Sequence, residues 1–84
     1  MNITNAIKEL GFSGFVHLNK TKRDGKERKI KFGYIGNDSY TVILLLDNEN
    51  WVIEKLSSDD DLLQKKLNSI TNIESLFNWL YQNQ

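Results

Sequence analysis

Residues 40–46 have the sequence YTVILLL, the longest strongly apolar segment of the chain. The segment is apolar at nearly every position and contains no helix cap, and strands in the interior of a sheet often show such continuous apolar runs. Turn-like segments flank it, with GNDS at residues 36–39 before it and DNEN at residues 47–50 after it. We therefore predict an interior strand at residues 40–46.

The neighbouring strands are predicted outward from this segment. Residues 51–56, WVIEKL, and residues 15–19, FVHLN, both have strand composition. Between the first strand and the interior strand stands Asp24-Gly25, the dipeptide favoured in a two-residue type I′ turn. That turn would place His17 opposite Phe32 on a hairpin with an apolar root. Three consecutive tight connections then predict a four-stranded antiparallel meander.

Helices are predicted on both sides of this sheet. Apolar residues recur at helical spacing over residues 3–10, and Gly11 follows where a left-handed cap would lie. Two capping boxes, Ser58 with Asp61 and Thr71 with Glu74, predict helices at about 59–69 and 72–82. One continuous helix is the alternative, but it would be about 35 Å long against strands of about 20 Å, so we favour a break.

The expected fold class is therefore α+β, in one domain that spans residues 1–84. It comprises a short N-terminal helix, a four-stranded antiparallel meander with a projecting basic hairpin, and a C-terminal helical hairpin or bent helix. A chain of 84 residues buries a small core, which leaves a stability margin of a few kcal/mol.

Charge is segregated along the sequence. Residues 20–31, KTKRDGKERKIK, carry seven of the eleven Lys and Arg residues and two acids, a net charge of +5. Residues 38–61 carry seven acids and one base, a net charge of −6, and the whole chain is neutral. Each of these two charged segments would attract a partner of opposite charge. Because the predicted turn puts cations on both faces of the hairpin tip, the tip should project into solvent as an arm.

The candidate partner-binding residues are the cations of this arm and the two tryptophans. Trp79 lies about 120° from the centre of the apolar stripe on its helix, and exposed tryptophans are enriched at interface hot spots. Ordinary solvated surface or packing against a neighbouring element is the alternative for each residue. The set is Lys20, Lys22, Arg23, Lys26, Arg28, Lys29, Lys31, Trp51 and Trp79.

The sequence offers little for catalysis. His17 is the only histidine, cysteine is absent, and the serines lie in no recognisable nucleophile motif. The Asp59-Asp60-Asp61 run is explained better by helix capping than by a cation site, and the glycines match no phosphate-binding motif. We expect no enzyme, no cofactor and no metal site.

A membrane role is not expected either. The longest apolar run, residues 42–46, is far shorter than the roughly 20 residues that span a bilayer. The amino terminus lacks the pattern of a signal peptide, so a cytoplasmic location is expected. Oligomeric state is open at this point.

The chain resembles small phage-encoded anti-CRISPR proteins in three respects. These are the opening MNITNAIKEL, the order of helix, meander and helix, and the NEN at residues 48–50 that leads into VIEKL. The resemblance implies a non-catalytic inhibitor that occupies the nucleic-acid-binding or effector surface of an RNA-guided nuclease. This chain differs from the strongly acidic members in being neutral, with a basic arm.

Two functions follow as expectations. The first is a phage or mobile-element inhibitor or adaptor that occludes a nucleic-acid-handling protein complex, in the cytoplasm of the host cell. The second is a small nucleic-acid-binding regulator that inserts the basic hairpin at residues 20–31 into a groove.

Overall fold

The computed structural model describes residues 11–84, which form one four-stranded antiparallel sheet followed by two helices. The strands are β1 Val16–Leu18, β2 Arg28–Ile35, β3 Asp38–Asp47 and β4 Asn50–Ser58, and the sheet order is β1-β2-β3-β4. The helices are α1 Asp61–Asn68 and α2 Ile73–Gln82. The α+β class, the meander and the break between the C-terminal helices are confirmed. The predicted helix at residues 3–10 lies outside the described residues.

Two of the three strand connections are the tight turns that the sequence predicts. Ile35 pairs with Asp38 across the β2–β3 turn, and Asp47 pairs with Asn50 across the β3–β4 turn. At the second turn Asn48 and Glu49 have φ values of 48° and 69°. Positive φ at both central positions is the geometry of a type I′ turn, whose twist matches that of the strands.

The predicted two-residue turn at Asp24-Gly25 is wrong. Val16 lies opposite Ile30 in the sheet, so residues 19–27 form a longer loop between β1 and β2. The Gly25 N–H donates to the Thr21 carbonyl at 2.8 Å, which closes a turn inside this loop. The Asp24 carboxylate accepts from the Lys26 N–H at 3.0 Å, a side-chain contact that competes with strand pairing.

The helices cover one face of the sheet. On β3 the alternate residues Tyr40, Val42 and Leu44 point towards the helices and are buried. The helices contribute the rest of the buried core, namely Leu63, Leu67, Leu76, Phe77 and Leu80. The opposite face of the sheet has no second layer among residues 11–84. β3 is therefore interior in the sheet order, as predicted, but the described residues bury only one of its faces.

The helices begin later than the capping boxes predict. Asp60 is the N-cap of α1 and accepts from the Leu63 N–H at 2.9 Å, and Asn72 is the N-cap of α2. Ser58 is instead the last residue of β4, and its hydroxyl donates to the Ser39 carbonyl at 2.6 Å. The strand thus extends through the first predicted cap. Neither described helix is long and apolar enough to cross a membrane.

Candidate functional site

The sheet face opposite the helices, here called the outer face, is largely apolar. Cross-strand partners share a face, so the register assigns its members: the apolar and aromatic Val16, Leu18, Ile30, Phe32, Tyr34, Ile43, Leu45 and Val52, and the polar Arg28, Ser39, Thr41, Asp47, Asn50, Lys55 and Ser57. Phe32 and Tyr34 are 60% and 62% exposed, and Val16 is 63% exposed. An exposed apolar patch of this continuity is typical of an interaction site.

The two exposed aromatic residues lie next to each other on β2. Their ring centroids are 5.2 Å apart, and the rings meet edge to face. Beside Phe32 an open groove of about 280 Å³ runs along β3 and β4, with Thr41 and Lys55 in its lining. The outer face therefore combines two flat rings with a shallow polar groove.

At the start of β2, Arg28 joins loop 19–27 to the edge strand. Its guanidinium donates to both Glu54 oxygens at 2.8 Å, and to the Asp24 oxygens at 2.9 and 2.8 Å. A further bond runs to the Thr21 hydroxyl at 2.7 Å, so all five N–H donors of the guanidinium have acceptors. The Arg28 side chain is only 7% exposed.

A bulge in β4 makes this arrangement possible. Ile43 pairs with Lys55 and Leu44 pairs with Ile53, which leaves Glu54 without a partner residue on β3. An extra residue of this kind re-aims its side chain. Here the re-aimed carboxylate reaches Arg28 across the outer face.

The ion pairs shift the titration of their members in the expected directions. The hydrogen bond from Arg28 holds the pKa of the Asp24 carboxyl well below its ordinary value of 3.8, and lowers the pKa of Glu54 below 4.5. Hydrogen bonds to Glu54 and Asp24 raise the pKa of Arg28. All three groups are charged near neutral pH, and their charges are compensated locally.

Two of the predicted cations point to the helix side of the sheet. Lys29 Nζ lies 4.7 Å from the Phe12 ring centroid and 5.3 Å from that of Trp51. Lys31 Nζ lies 3.5 Å from the Ser13 carbonyl oxygen. These lysines and Arg28 belong to opposite faces of β2, so the nine predicted binding residues do not form one surface.

The remaining predicted cations lie in loop 19–27. Lys20, Lys22 and Arg23 are exposed, and Arg23 Nη2 is 3.6 Å from Glu54. Lys26 Nζ is 3.9 Å from Asp47. The loop thus retains exposed cations at one end of the outer face, beside the acids of the β3–β4 turn.

Both tryptophans pack against the folded chain and are partly buried. Trp51 lies among Phe12 and His17, with ring centroids 5.7 and 5.8 Å away. Trp79 meets the Tyr40 ring at 5.3 Å. Both positions agree with the alternative given for the tryptophans in the sequence analysis, which is packing against a neighbouring element.

His17 does not lie opposite Phe32, as the wrong turn would require. It pairs with Lys29, and its Nε2 is 2.8 Å from a Glu27 carboxylate oxygen. Within residues 11–84 no three metal-ligating side chains are grouped as a metal site.

Sequence reasoning missed the apolar residues of the outer face as a candidate site. The signal was present in the continuous apolar run at residues 40–46 and in the alternation of Ile30, Phe32 and Tyr34. The first pattern predicts an interior strand and the second the apolar root of a hairpin, and neither shows which sheet face stays exposed. No family model matches the chain, and no curated protein or solved structure matches it significantly.

Proposed function

We propose that this protein is a non-catalytic binding protein that docks on another protein through its outer face. The observation that carries the proposal is the row of exposed apolar side chains on β1, β2 and β4, where Val16, Phe32, Tyr34 and Val52 are all at least 40% exposed. Removing such side chains from water favours association by about 25 cal/mol per Å² of apolar surface. Aromatic residues are also enriched at the centres of protein interfaces.

The charges around this face favour a protein over a nucleic acid. Arg28 is neutralised by Asp24 and Glu54, and Lys26 lies near Asp47. A nucleic-acid surface needs cations that remain available to phosphates. A face with compensated charges and an apolar centre suits a protein partner better.

The partner that we propose is a component of a nucleic-acid-handling complex, which the protein would occlude as an inhibitor or adaptor. The likeness of the opening decapeptide and of the β4 segment to anti-CRISPR proteins supports this class of partner. The exposed cations Lys20, Lys22 and Arg23 would then border the contact and orient it.

The test is affinity capture from cells of the native host, with and without nuclease treatment. Phe32→Glu places a charge in the outer face, and Leu62→Glu makes the same change at a residue that is 71% exposed on α1. The proposal predicts a protein that wild type and Leu62→Glu retain after nuclease treatment and that Phe32→Glu loses. Equal capture by both variants would contradict it.

A nucleic-acid-binding regulator is the second candidate, and the exposed aromatic pair favours it. Unpaired bases stack on aromatic side chains presented by a sheet, and Lys55 lies on the same face as Phe32. Titration with single-stranded RNA and duplex DNA at two salt concentrations tests this function. Salt-sensitive binding that is lost in Phe32→Glu would support it, and no binding at low salt would rule it out.

A further inference from the structure

The outer face has the features of a surface that pairs with an identical surface. β3 is apolar on both sides, and its residues Ile43 and Leu45 lie on the outer face in a strand of continuous apolar sequence. An apolar sheet face of this kind is stabilised when a second layer removes it from water. Residues 11–84 supply one covering layer, the helices, and leave the outer face open to a second.

The size of the face suits a stable pair. The face is four strands wide, about 19 Å, and about 26 Å long over β2, β3 and β4, which have 8, 10 and 9 residues, whereas β1 has 3. Phe32 and Tyr34, at 60% and 62% exposure, supply on the order of 250 Å² of this surface themselves. A stable interface takes about 800 Å² from each partner, which the face reaches together with loop 19–27 and the β3–β4 turn at its end.

The charges at the end of the face are complementary to themselves under one particular symmetry. A two-fold axis parallel to the strands stacks the order β1-β2-β3-β4 on β4-β3-β2-β1. Loop 19–27, which joins β1 and β2, then lies over the β3–β4 turn of the other copy. The loop offers the exposed Lys22 and the turn offers the exposed Glu49, so the two-fold axis brings this pair of opposite charges together twice.

An axis across the strands is less favourable. It stacks β4 on β4, which places the two Lys55 side chains on facing strands. Under the parallel axis each Lys55 faces the β1 side of the other copy. Like charges across an interface cost free energy, so the charge pattern selects the first arrangement.

We infer that a second copy of this chain covers the outer face, in a two-fold pair of sheets stacked face to face with the axis along the strands. Two sheets would then form the centre of the pair, about 10 Å apart, with helices on the outside. The inference rests on the proposed function, because both involve the outer face. In the free protein a second copy covers the apolar surface, and a partner protein displaces that copy.

Sedimentation equilibrium of the purified protein, from about 1 µM to about 500 µM, tests the inference. Wild type should pass from monomer to dimer over this range. Phe32→Glu, and as a second variant Val16→Glu, should raise the dissociation constant at least about tenfold, whereas Leu62→Glu should leave it unchanged. Circular dichroism shows that each variant has folded.

A charge exchange tests the orientation. Lys22→Glu and Glu49→Lys should each weaken the dimer by about three- to tenfold, and the double variant should restore it, because the charges then meet in reversed order. Additive weakening in the double variant would overturn the proposed axis.

The outcomes separate this inference from the proposed function. A wild-type monomer at every concentration would overturn the inference, as would equal behaviour of Phe32→Glu and Leu62→Glu. The proposed function would survive either result if the host protein is still captured through the face. A dimer that captures no host protein would support the inference and contradict the proposed function.

Discussion

Arg28 is the residue whose role differs most from its place in the sequence. It stands in a run of basic residues, yet its side chain is 7% exposed and bonds to two carboxylates and a hydroxyl. Asp24 comes from its own loop and Glu54 from the far edge of the sheet, so one guanidinium holds two elements together. The paired, planar geometry is one that Lys cannot reproduce.

Replacing Arg28 with Met should make the stability of the protein less sensitive to acid. In the wild type, pairing lowers the pKa values of Asp24 and Glu54 below 3.8 and 4.5. Their stabilising effect is therefore present above about pH 5 and is lost as the pH falls through about 4 and below. Urea unfolding at about pH 7 and pH 3 should show wild type clearly more stable than Arg28→Met at the higher pH, with a smaller difference at the lower. A constant difference would contradict the network's role.

Gly33 and Tyr40 form a second close contact, on the helix side of the sheet. A Cβ at position 33 would lie 2.5 Å from the Cζ and Oη atoms of Tyr40, so a side chain there must displace the ring. Tyr40 in turn packs on Trp79. The absence of a side chain at Gly33 thus allows the aromatic contact that closes this part of the core.

Gly33→Ala should destabilise the protein by about 1–3 kcal/mol through overpacking. In a Tyr40→Leu background the same change should cost much less, because the atoms that the new methyl would meet are gone. Thermal unfolding of the four proteins gives the coupling free energy. Additive effects would show that the ring is not the obstacle.

Among the elements, β4 is a sheet edge that the first helix partly closes. The Ser58 N–H donates to the Gln64 side-chain oxygen at 2.7 Å, and the Gln64 amide donates to the Leu56 carbonyl at 3.0 Å. The amide of Gln64 therefore takes the place of a further strand. Sheet edges left open invite pairing with other chains, so this contact restricts where β4 can pair.

Gln64→Leu should remove both bonds while keeping the size of the side chain. Each partly buried group that loses its partner costs about 1–3 kcal/mol, so the variant should be less stable by an amount in that range or above. Amide exchange at Ser58 should also become faster. Lys65→Leu, at an exposed position on the same helix, is the control and should change stability by no more than about 0.5 kcal/mol. Equal effects of the two changes would refute the capping role of Gln64.

The elements that were predictable from the sequence are those set by local signals. Continuous apolar sequence located β3, and paired turn residues located Asn48-Glu49. The β1–β2 register could not be predicted, because the bonds from Asp24 to Lys26 and Arg28 favour a longer loop over the two-residue turn. A dipeptide rule does not include such side-chain competition.

For the molecule as a whole, folding cancels much of the charge separation in the sequence. The basic segment meets members of the acidic segment in the pairs Arg28–Glu54, Arg23–Glu54 and Lys26–Asp47. These contacts depend on the sheet register and on the β4 bulge, neither of which is visible in a charge count. The charge pattern predicts a contact surface among the cations of residues 20–31, whereas the apolar outer face is visible only in the structure.

Thiol labelling shows whether the outer face becomes covered as the protein concentration rises. The chain has no cysteine, so Thr41→Cys on the outer face and Leu62→Cys on α1 each introduce a single reactive thiol. If the outer face is the contact surface and a second copy covers it, labelling at position 41 should slow as the protein concentration rises, while labelling at position 62 stays constant. Concentration-independent labelling at both positions would contradict the covering of the outer face by a second copy.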